Sequence, residues 1–387
     1  KEMGYYPTQV AEVKDTPEEA KKRKTKGKKG KGVSLAIPSV SAKELTQFTR
    51  QLAVLIDAGL PLMRGMTTLQ KSIKNPYFIG IIADIGETIG GGSTFSEALA
   101  KHPKIFDKLY INMVKAGEIG GVLEIALNRL AEFMEKSQKI KGKVKAAMFY
   151  PMAVMTVAII IVYILMTHVI PKFKTIFTDM LGPGETLPEF TLLVLYISDT
   201  IKNNVGAVAA GTVAAFIIFR LIIGKTKAGR YAWDLLKMKV PPLGGVVSKV
   251  CIARFSRTLG TLVSSGVPIL QALNITKETA GNVIVSNAID KVYEAVKEGE
   301  TITKPLEKSG VFPPMVVSMI DIGEETGALP EMLVRVADVY EEEVDNAVTA
   351  MTSLMEPIMI VFLAIIVGSI VIAMFLPLIK MMDKLGQ

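Results

Sequence analysis

Two five-residue motifs are the strongest candidates for chemistry in this chain. Gly117-Glu118-Ile119-Gly120-Gly121 and Gly323-Glu324-Glu325-Thr326-Gly327 each place a carboxylate directly after one glycine and three residues before another. At the opening of the next helix such a carboxylate can accept backbone N–H groups or receive a basic residue of a partner, with local capping of the loop as the plain alternative. Arg50 and Arg257 are likewise matched between the two halves of the chain, and each is a candidate partner for the carboxylate of its own half.

No catalytic constellation accompanies these groups. The single cysteine, Cys251, rules out an intramolecular disulfide and a thiolate metal cluster, and the two histidines, His102 and His168, lie in different regions. Gly224-Lys225-Thr226 has the ending of a phosphate-binding loop, but Phe219 stands where that loop needs its first glycine. The triplet also closes an apolar run where the motif requires a strand, a loop and a helix, so it reads as a basic anchor beside a membrane. With no Gly-x-Ser-x-Gly and no His-Glu-x-x-His, no catalytic residue, metal or cofactor is expected.

The elements that must position the motifs are themselves repeated. FTRQLAVLIDAGLP, Phe48 to Pro61, returns as FSRTLGTLVSSGVP, Phe255 to Pro268, displaced by 207 positions. GEIGGVLEIALNRLAEFME, Gly117 to Glu135, returns as GEETGALPEMLVRVADVYE, Gly323 to Glu341, displaced by 206. One residue is therefore lost in between, where AKHPKIF (Ala100 to Phe106) meets EKSGVF (Glu307 to Phe312). Collinear blocks with one small gap indicate a duplicated domain.

Within the first copy, Ser41-x-x-Glu44 has the form of a capping box, and Leu45, Phe48, Leu52 and Leu55 recur at helical spacing. Gly59 suits a left-handed cap and Pro61 the first turn of the following helix, which makes an α-hairpin. Gly266 and Pro268 repeat the device in the second copy. Ile73 to Gly92 reads as a further helix, and Thr94-x-x-Glu97 opens a short one. No alternating strand pattern of useful length interrupts this, so an all-α bundle is predicted.

Half of the residues are hydrophobic, high for a soluble protein. Ala146 to Ile170 carries no formal charge and exceeds the roughly 20 residues needed to cross a bilayer. Lys136, Lys139, Lys141, Lys143 and Lys145 precede it, which places its start on the cytoplasmic side. A second span covers Val205 to Gly224, with Arg220 near its end and Lys225, Lys227 and Arg230 beyond it, so the chain returns inside. The segment between is expected to be external, with an interfacial helix presenting Phe190, Leu193, Val194, Ile197 and Ile201. Pro357 to Ile379 is a third span. Its flanking charges, Glu341 to Asp345 before and Lys380 and Lys384 after, favour the reverse orientation, but two spans have already returned the chain inside and Pro357 aligns with Pro151.

The expected layout is a truncated N-terminal region and Lys-rich linker over 1–40, and a first bundle over 41–145. A span over 146–170, an external segment over 171–204 and a span over 205–224 follow. A second bundle over 241–345, a span over 357–379 and a short external tail over 380–387 complete it. In the second span Ala207, Gly211 and Ala215 form a small-residue stripe that suits close packing, either within the chain or with another copy. The spans carry no acidic residue between their ends, which argues against a proton relay.

The formal net charge of +8 is accounted for by one run, Lys21 to Lys31, with eight basic residues and no acid. It reads as a solvated, disordered linker. Anionic lipid is favoured over nucleic acid as its contact, because no aromatic residue interleaves with the lysines. Lys1 to Asp15 is too short to judge as a whole, but KEMGYYP reads as the tail of a small folded piece cut off upstream, and without an apolar run before residue 35 no secretory signal peptide is expected. Elsewhere the copies diverge in charge, with Lys136 corresponding to Glu342 and Lys139 to Asp345. Either solvated faces have drifted, or the two cytoplasmic bundles meet each other or different partners through complementary charge.

FTRQLAVLIDAGLP, GEIGGVLEIALNRLAEF, their second copies, and spans placed after copy one, before copy two and after copy two together resemble the type II secretion F family. These are inner-membrane platform proteins of type II secretion systems and type IV pili, and the resemblance runs from about residue 40 to 380. KEMGYYPTQV is similar to the end of the family's small N-terminal region, and the Lys-rich run lengthens the usual linker. The resemblance implies an all-α membrane protein with two homologous cytoplasmic six-helix bundles and three transmembrane helices. It implies a non-enzymatic scaffold that docks on a cytoplasmic hexameric assembly or retraction ATPase, on pilin or pseudopilin, and beside other inner-membrane assembly proteins. It further implies that ATPase motion passes to the growing fibre and that the protein forms dimers or higher oligomers. The family's motif positions fall on Gly59, Pro61, Gly117, Glu118 and Gly121, and on Gly266, Pro268, Gly323, Glu324 and Gly327, as fold and partner positions.

The residues alone leave two classes open. An assembly scaffold fits two large bundles on three spans without a catalytic constellation. A three-span transporter is the alternative, since repeats across membranes are common there, but this duplication is mainly cytoplasmic and the number of spans is odd.

Overall fold

The computed structural model describes residues 39–180, 187–241 and 243–385, so the Lys21 to Lys31 run lies outside the described residues. Ser41–Gln387 forms one unit, and Lys1–Val40 is a separate one. Helix α1, Ala42–Asp57, opens at Ser41, whose side chain accepts the N–H of Glu44 while Glu44 reaches back to the Ser41 backbone. Both first-turn donors are thereby satisfied. Gly59 adopts φ +81°, and Pro61 stands as the N-cap of α2, Leu62–Ser72.

Sequence periodicity runs one helix too long here. Ile73 is extended, Asn75 accepts the N–H of Tyr77, and Pro76 occupies the first helical turn, so α3 spans Pro76–Gly90 rather than Ile73 to Gly92. Proline lacks the N–H that a continuing helix needs, and its ring pushes the preceding residue out of the helical region. The Thr94–Glu97 capping box opens α4, Phe95–Ala100. Helix α5, Lys108–Gly120, ends at Gly121 with φ +67°. Helix α6, Leu123–Ile164, then completes a six-helix first repeat.

The apolar stripes of these helices converge on Phe48, Leu52, Phe78, Ile85 and Met113, all buried. Phe48 meets Phe78 edge to face at 5.3 Å. Each such side chain contributes about 1.5–3 kcal/mol on burial.

Helix α6 does not stop at the bundle. It carries the apolar run 146–170 into a π turn, Leu165–Val169, and on into α7, Ile170–Met180. Pro171 has no N–H to give residue 167, and the widened turn lies where that bond would fall. Helix α8, Glu189–Asn203, packs back on the far ends of the long helices. Thr191 Oγ1 donates to the Ala373 carbonyl at 2.8 Å, and Val194 and Leu195 join Ile170, Ile370 and Ala373 in one cluster. The stripe expected to lie along an interface is therefore split: Val194 turns inward, while Phe190, Leu193 and Ile197 stay exposed.

Helix α9, Val205–Lys225, is the second apolar run, and α10, Lys227–Lys239, follows it. The second repeat comprises α11 (Leu243–Ser264), α12 (Ile269–Thr279), α13 (Val283–Lys297), α14 (Thr303–Lys308), α15 (Pro314–Thr326) and α16 (Leu329–Leu385). It again has six helices, and its last one runs unbroken from the bundle through the third apolar run. No strand occurs among the described residues. The protein is an all-α, multi-pass membrane protein, with three helices long and apolar enough to cross a bilayer.

Candidate interaction site: paired motifs, arginine clamps and the seam

Each Gly-Glu-x-x-Gly motif closes its own bundle. Glu118 lies in the last turn of α5, not at the opening of the next helix, and accepts the N–H groups of Phe95 at 2.6 Å and Ser96 at 3.0 Å. Glu324 accepts Ile302 N–H at 2.7 Å, Thr303 N–H at 2.9 Å and the Thr303 hydroxyl at 2.5 Å. A helix of six residues has about as many orphan donors as internal bonds, so an anion at its N-terminus stabilises a large share of it. Gly117 has no room for a side chain, since a Cβ there would stand 2.5 Å from Ala126 Cβ. At Gly323 it would stand 2.9 Å from Leu329 Cα. Gly121 and Gly327 end their helices at φ +67° and +71°.

The arginines do not pair with these glutamates. Arg50 donates twice to Glu135 on α6, both bonds at 2.7 Å. Arg257 donates to Glu341 at 2.8 Å and to Asp338 at 2.5 Å, both on α16. Glu118 and Glu324 already accept a backbone N–H on each carboxylate oxygen, while Glu135 and Glu341 face the arginines one helix away. The signal was present in the sequence, because Glu135 and Glu341 are the matched last residues of the second repeated block. The Arg50 hydrogen bonds hold the Glu135 carboxyl below its usual range. Burial raises the Asp338 carboxyl, but bonds from Lys136 and Arg257 outweigh it and leave a net lowering.

Lys136 joins the two repeats. Its Nζ lies 2.7 Å from Asp338 and 3.8 Å from Glu341, so one cation of the first long helix completes the arginine clamp of the second. One full heptad further, Lys143 pairs with Asp345. Both pairs advance together along α6 and α16, so the helices run parallel. Alongside and beyond them Ile140, Val144 and Met148 of α6 pack on Val344, Val348 and Met351 of α16. Lys139 and Glu342, singled out by the alignment of the copies, stay exposed. Complementary charge does join the repeats, with Asp338 and Glu341 as acceptors for Lys136. Arg129 of α6 adds a bond to the Ser264 carbonyl at the end of α11. Asn112 accepts from Gln271 at 2.5 Å, and Lys108 pairs with Glu278 at 2.7 Å.

Among the described residues, Ala207, Gly211 and Ala215 face no packing partner. All three are exposed on α9, and a Cβ at Gly211 would find no atom within 4 Å. No group of three metal-ligating side chains gathers among the described residues. The site thus holds two short helices by half-buried carboxylates and locks two continuous helices side by side.

A family model described as type II secretion system (T2SS), protein F, matches residues 48–171 and 255–377. The chain belongs to the type II secretion system protein F family. The matched segments are the two repeats, each with its own apolar run attached, and α9 and α10 lie outside both. Within the family, the chain is 43% identical to the type IV pilus assembly protein PilC of Myxococcus xanthus, over 88% of this chain and 80% of that protein. It is 42% identical to PilC of Thermus thermophilus, over 92% and 88%. It is also 32% identical to the type II secretion system protein F of Pseudomonas aeruginosa, over 96% and 91%. Relatives in this protein F family are thus named for both pilus assembly and secretion, and this chain matches either kind along most of its length.

Proposed function

We propose that this chain is a non-enzymatic platform in the inner membrane for type IV pilus assembly or type II secretion. It couples a cytoplasmic hexameric ATPase to the insertion or extraction of pilin or pseudopilin subunits. Both bundles stand in the cytoplasm, and the C-terminal tail, 380–387, is external. The observation that carries this reading is the parallel seam between α6 and α16. Two helices that are paired in parallel and continuous through their apolar runs enter the membrane from one side, so force applied to either bundle is delivered to the membrane along unbroken helix. The lysines before the first span favour the cytoplasm as that side. The exposed stripe of Ala207, Gly211 and Ala215 suits contact with a second copy, in keeping with a dimer or higher oligomer.

The test is to purify the intact protein from cross-linked cells of its own source. A hexameric ATPase and a pilin-like subunit should accompany it, and proteoliposomes of the pure protein should pass no small solute. Solute flux, with neither partner recovered, would contradict the proposal and favour a transporter.

A further inference from the structure

Between α6, α10 and α11 lies an open cleft of about 440 Å³. One wall is apolar, made by Ile140, Val144 and Met148 of α6 and Val246, Val247 and Val250 of α11. The charged lining is nearly all of one sign: Lys141, Lys145, Lys237, Arg254 and Arg257 against the single acid Glu341. Some of these charges are already answered. Arg257 holds Glu341, and Lys237 is paired with Asp234 at 2.8 Å. Lys141, Lys145 and Arg254 make no hydrogen bond or ion pair among the described residues.

Arg254 is the decisive member. It is half-buried, where an unanswered cation is costly. The fold nevertheless makes room for it: Gly281 takes φ +75°, and a Cβ at that position would overlap the Arg254 guanidinium. Three uncompensated cations and an apolar wall therefore share one cleft.

The depth of the cleft follows from its neighbours. Lys145 is the last charge before the uncharged run of α6, and Met148 lies in the first turn of that run. Trp233 of α10 packs edge to face on Phe219 of α9 at 5.2 Å, and the Arg220 guanidinium lies 5.5 Å from the Phe216 ring. Tryptophan and snorkelling arginine at the end of a span mark the boundary between hydrocarbon and water. The cleft opens at that boundary, with Lys145 and Met148 at its membrane end and the cations interleaved with the apolar wall.

We propose that this cleft is a binding site for one anionic phospholipid of the leaflet facing the bundles. The lipid phosphate is received by Arg254, Lys141 and Lys145, and an acyl chain lies along the apolar wall of α6 and α11. A guanidinium fork matches a phosphate in two-point geometry. Net charge selects the lipid, because a zwitterionic head group brings an ammonium into a cluster that is already positive. A soluble anion would satisfy the cations but leave the wall of valines and methionine without a partner. The inference requires only that the three apolar helices cross a bilayer, so it stands or falls separately from the platform reading.

The experiment is native mass spectrometry of the intact protein in detergent, titrated with phosphatidylglycerol or with phosphatidylethanolamine of the same chains. One phosphatidylglycerol should be retained per chain, at least about tenfold more tightly than phosphatidylethanolamine. The triple variant Lys141→Gln, Lys145→Gln, Arg254→Gln should lose that preference, and Lys304→Gln, on α14, should keep it. A second measurement leaves the chain unaltered. Trp233 is the sole tryptophan. In nanodiscs of zwitterionic lipid, brominated phosphatidylglycerol at low mole fraction should quench it more than brominated phosphatidylethanolamine at the same fraction. Equal retention and equal quenching by the two lipids would overturn the proposal. So would an unchanged preference in the triple variant, or displacement of the lipid by millimolar inorganic phosphate. Displacement by an acidic peptide alone would assign the cleft to a protein partner instead.

Discussion

Helices α1 and α11 descend from one sequence, yet they live in different surroundings. At Arg50, Gln51, Val54 and Leu55 the first copy is half-buried or exposed, whereas the matched Arg257, Thr258, Thr261 and Leu262 are buried. Both helices pack on the long helix of their own repeat, but α11 is also covered by α6 of the other repeat. The arginine clamp shows the consequence: the Arg50 side chain is 31% exposed and has one acidic partner, while that of Arg257 is 9% exposed and has two. Duplication preserved the bundle, and assembly made one copy the hub.

The comparison predicts unequal responses to equal mutations. The largest should come from Arg257→Ala, which leaves Asp338 and Glu341 facing each other beside Lys136 and should cost about 3 kcal/mol or more. Arg50→Ala, at a solvated pair, should cost about 1 kcal/mol or less. Thermal unfolding of both variants in one detergent checks the difference, and equal losses would mean that the hub assignment is wrong.

A smaller, opposite asymmetry concerns two hydroxyls. Thr49 Oγ1 lies 3.1 Å from the buried Tyr110 hydroxyl, whereas the matched Ser256 hydroxyl has no partner among the described residues, because Val316 stands where the first repeat has Tyr110. Thr49→Ala should therefore cost about 1–3 kcal/mol by orphaning a buried phenol, and Ser256→Ala should be neutral or stabilising. The same melting experiment ranks them.

The smallest effect is one of pH. Asp338 has a folded carboxyl value below its ordinary 3.8, so its contribution is present above that value and is lost as pH falls through the lowered one. Acidification from pH 6 to pH 3 should lower the melting temperature, and Asp338→Asn should flatten that fall while lowering stability at pH 6. Half of the Asp338 side chain remains in solvent, so salt should shrink the effect.

Much of the fold could be read from residue types. The capping boxes at Ser41 and Thr94, the turn glycines at 59 and 266, and the three apolar runs are local signals, and local physics honoured them. The break at Ile73–Asn75 was also local, written in Asn75-Pro76, but the hydrophobic period across it obscured it. The arginine partners and the seam were harder, because any of several carboxylates could reach Arg50 until α6 was placed beside α1. Helix α10 carries its signal in Thr226, whose side chain caps Gly229, and in a single tryptophan, which is too little to distinguish a helix from a loop. The lesson concerns repeats. Matching the copies identified which residues correspond, but only packing decided which of each pair would be buried.

Helices α6 and α16 run side by side in parallel, locked by Lys136 with Asp338 and Lys143 with Asp345. In a Cys251→Ser background, cysteines at 136 with 338 and at 143 with 345 should each be joined within one chain by a short bis-maleimide in native membranes, and the crossed pair, 136 with 345, should not. Linkage of the crossed pair, or of only one of the two parallel pairs, would contradict the account.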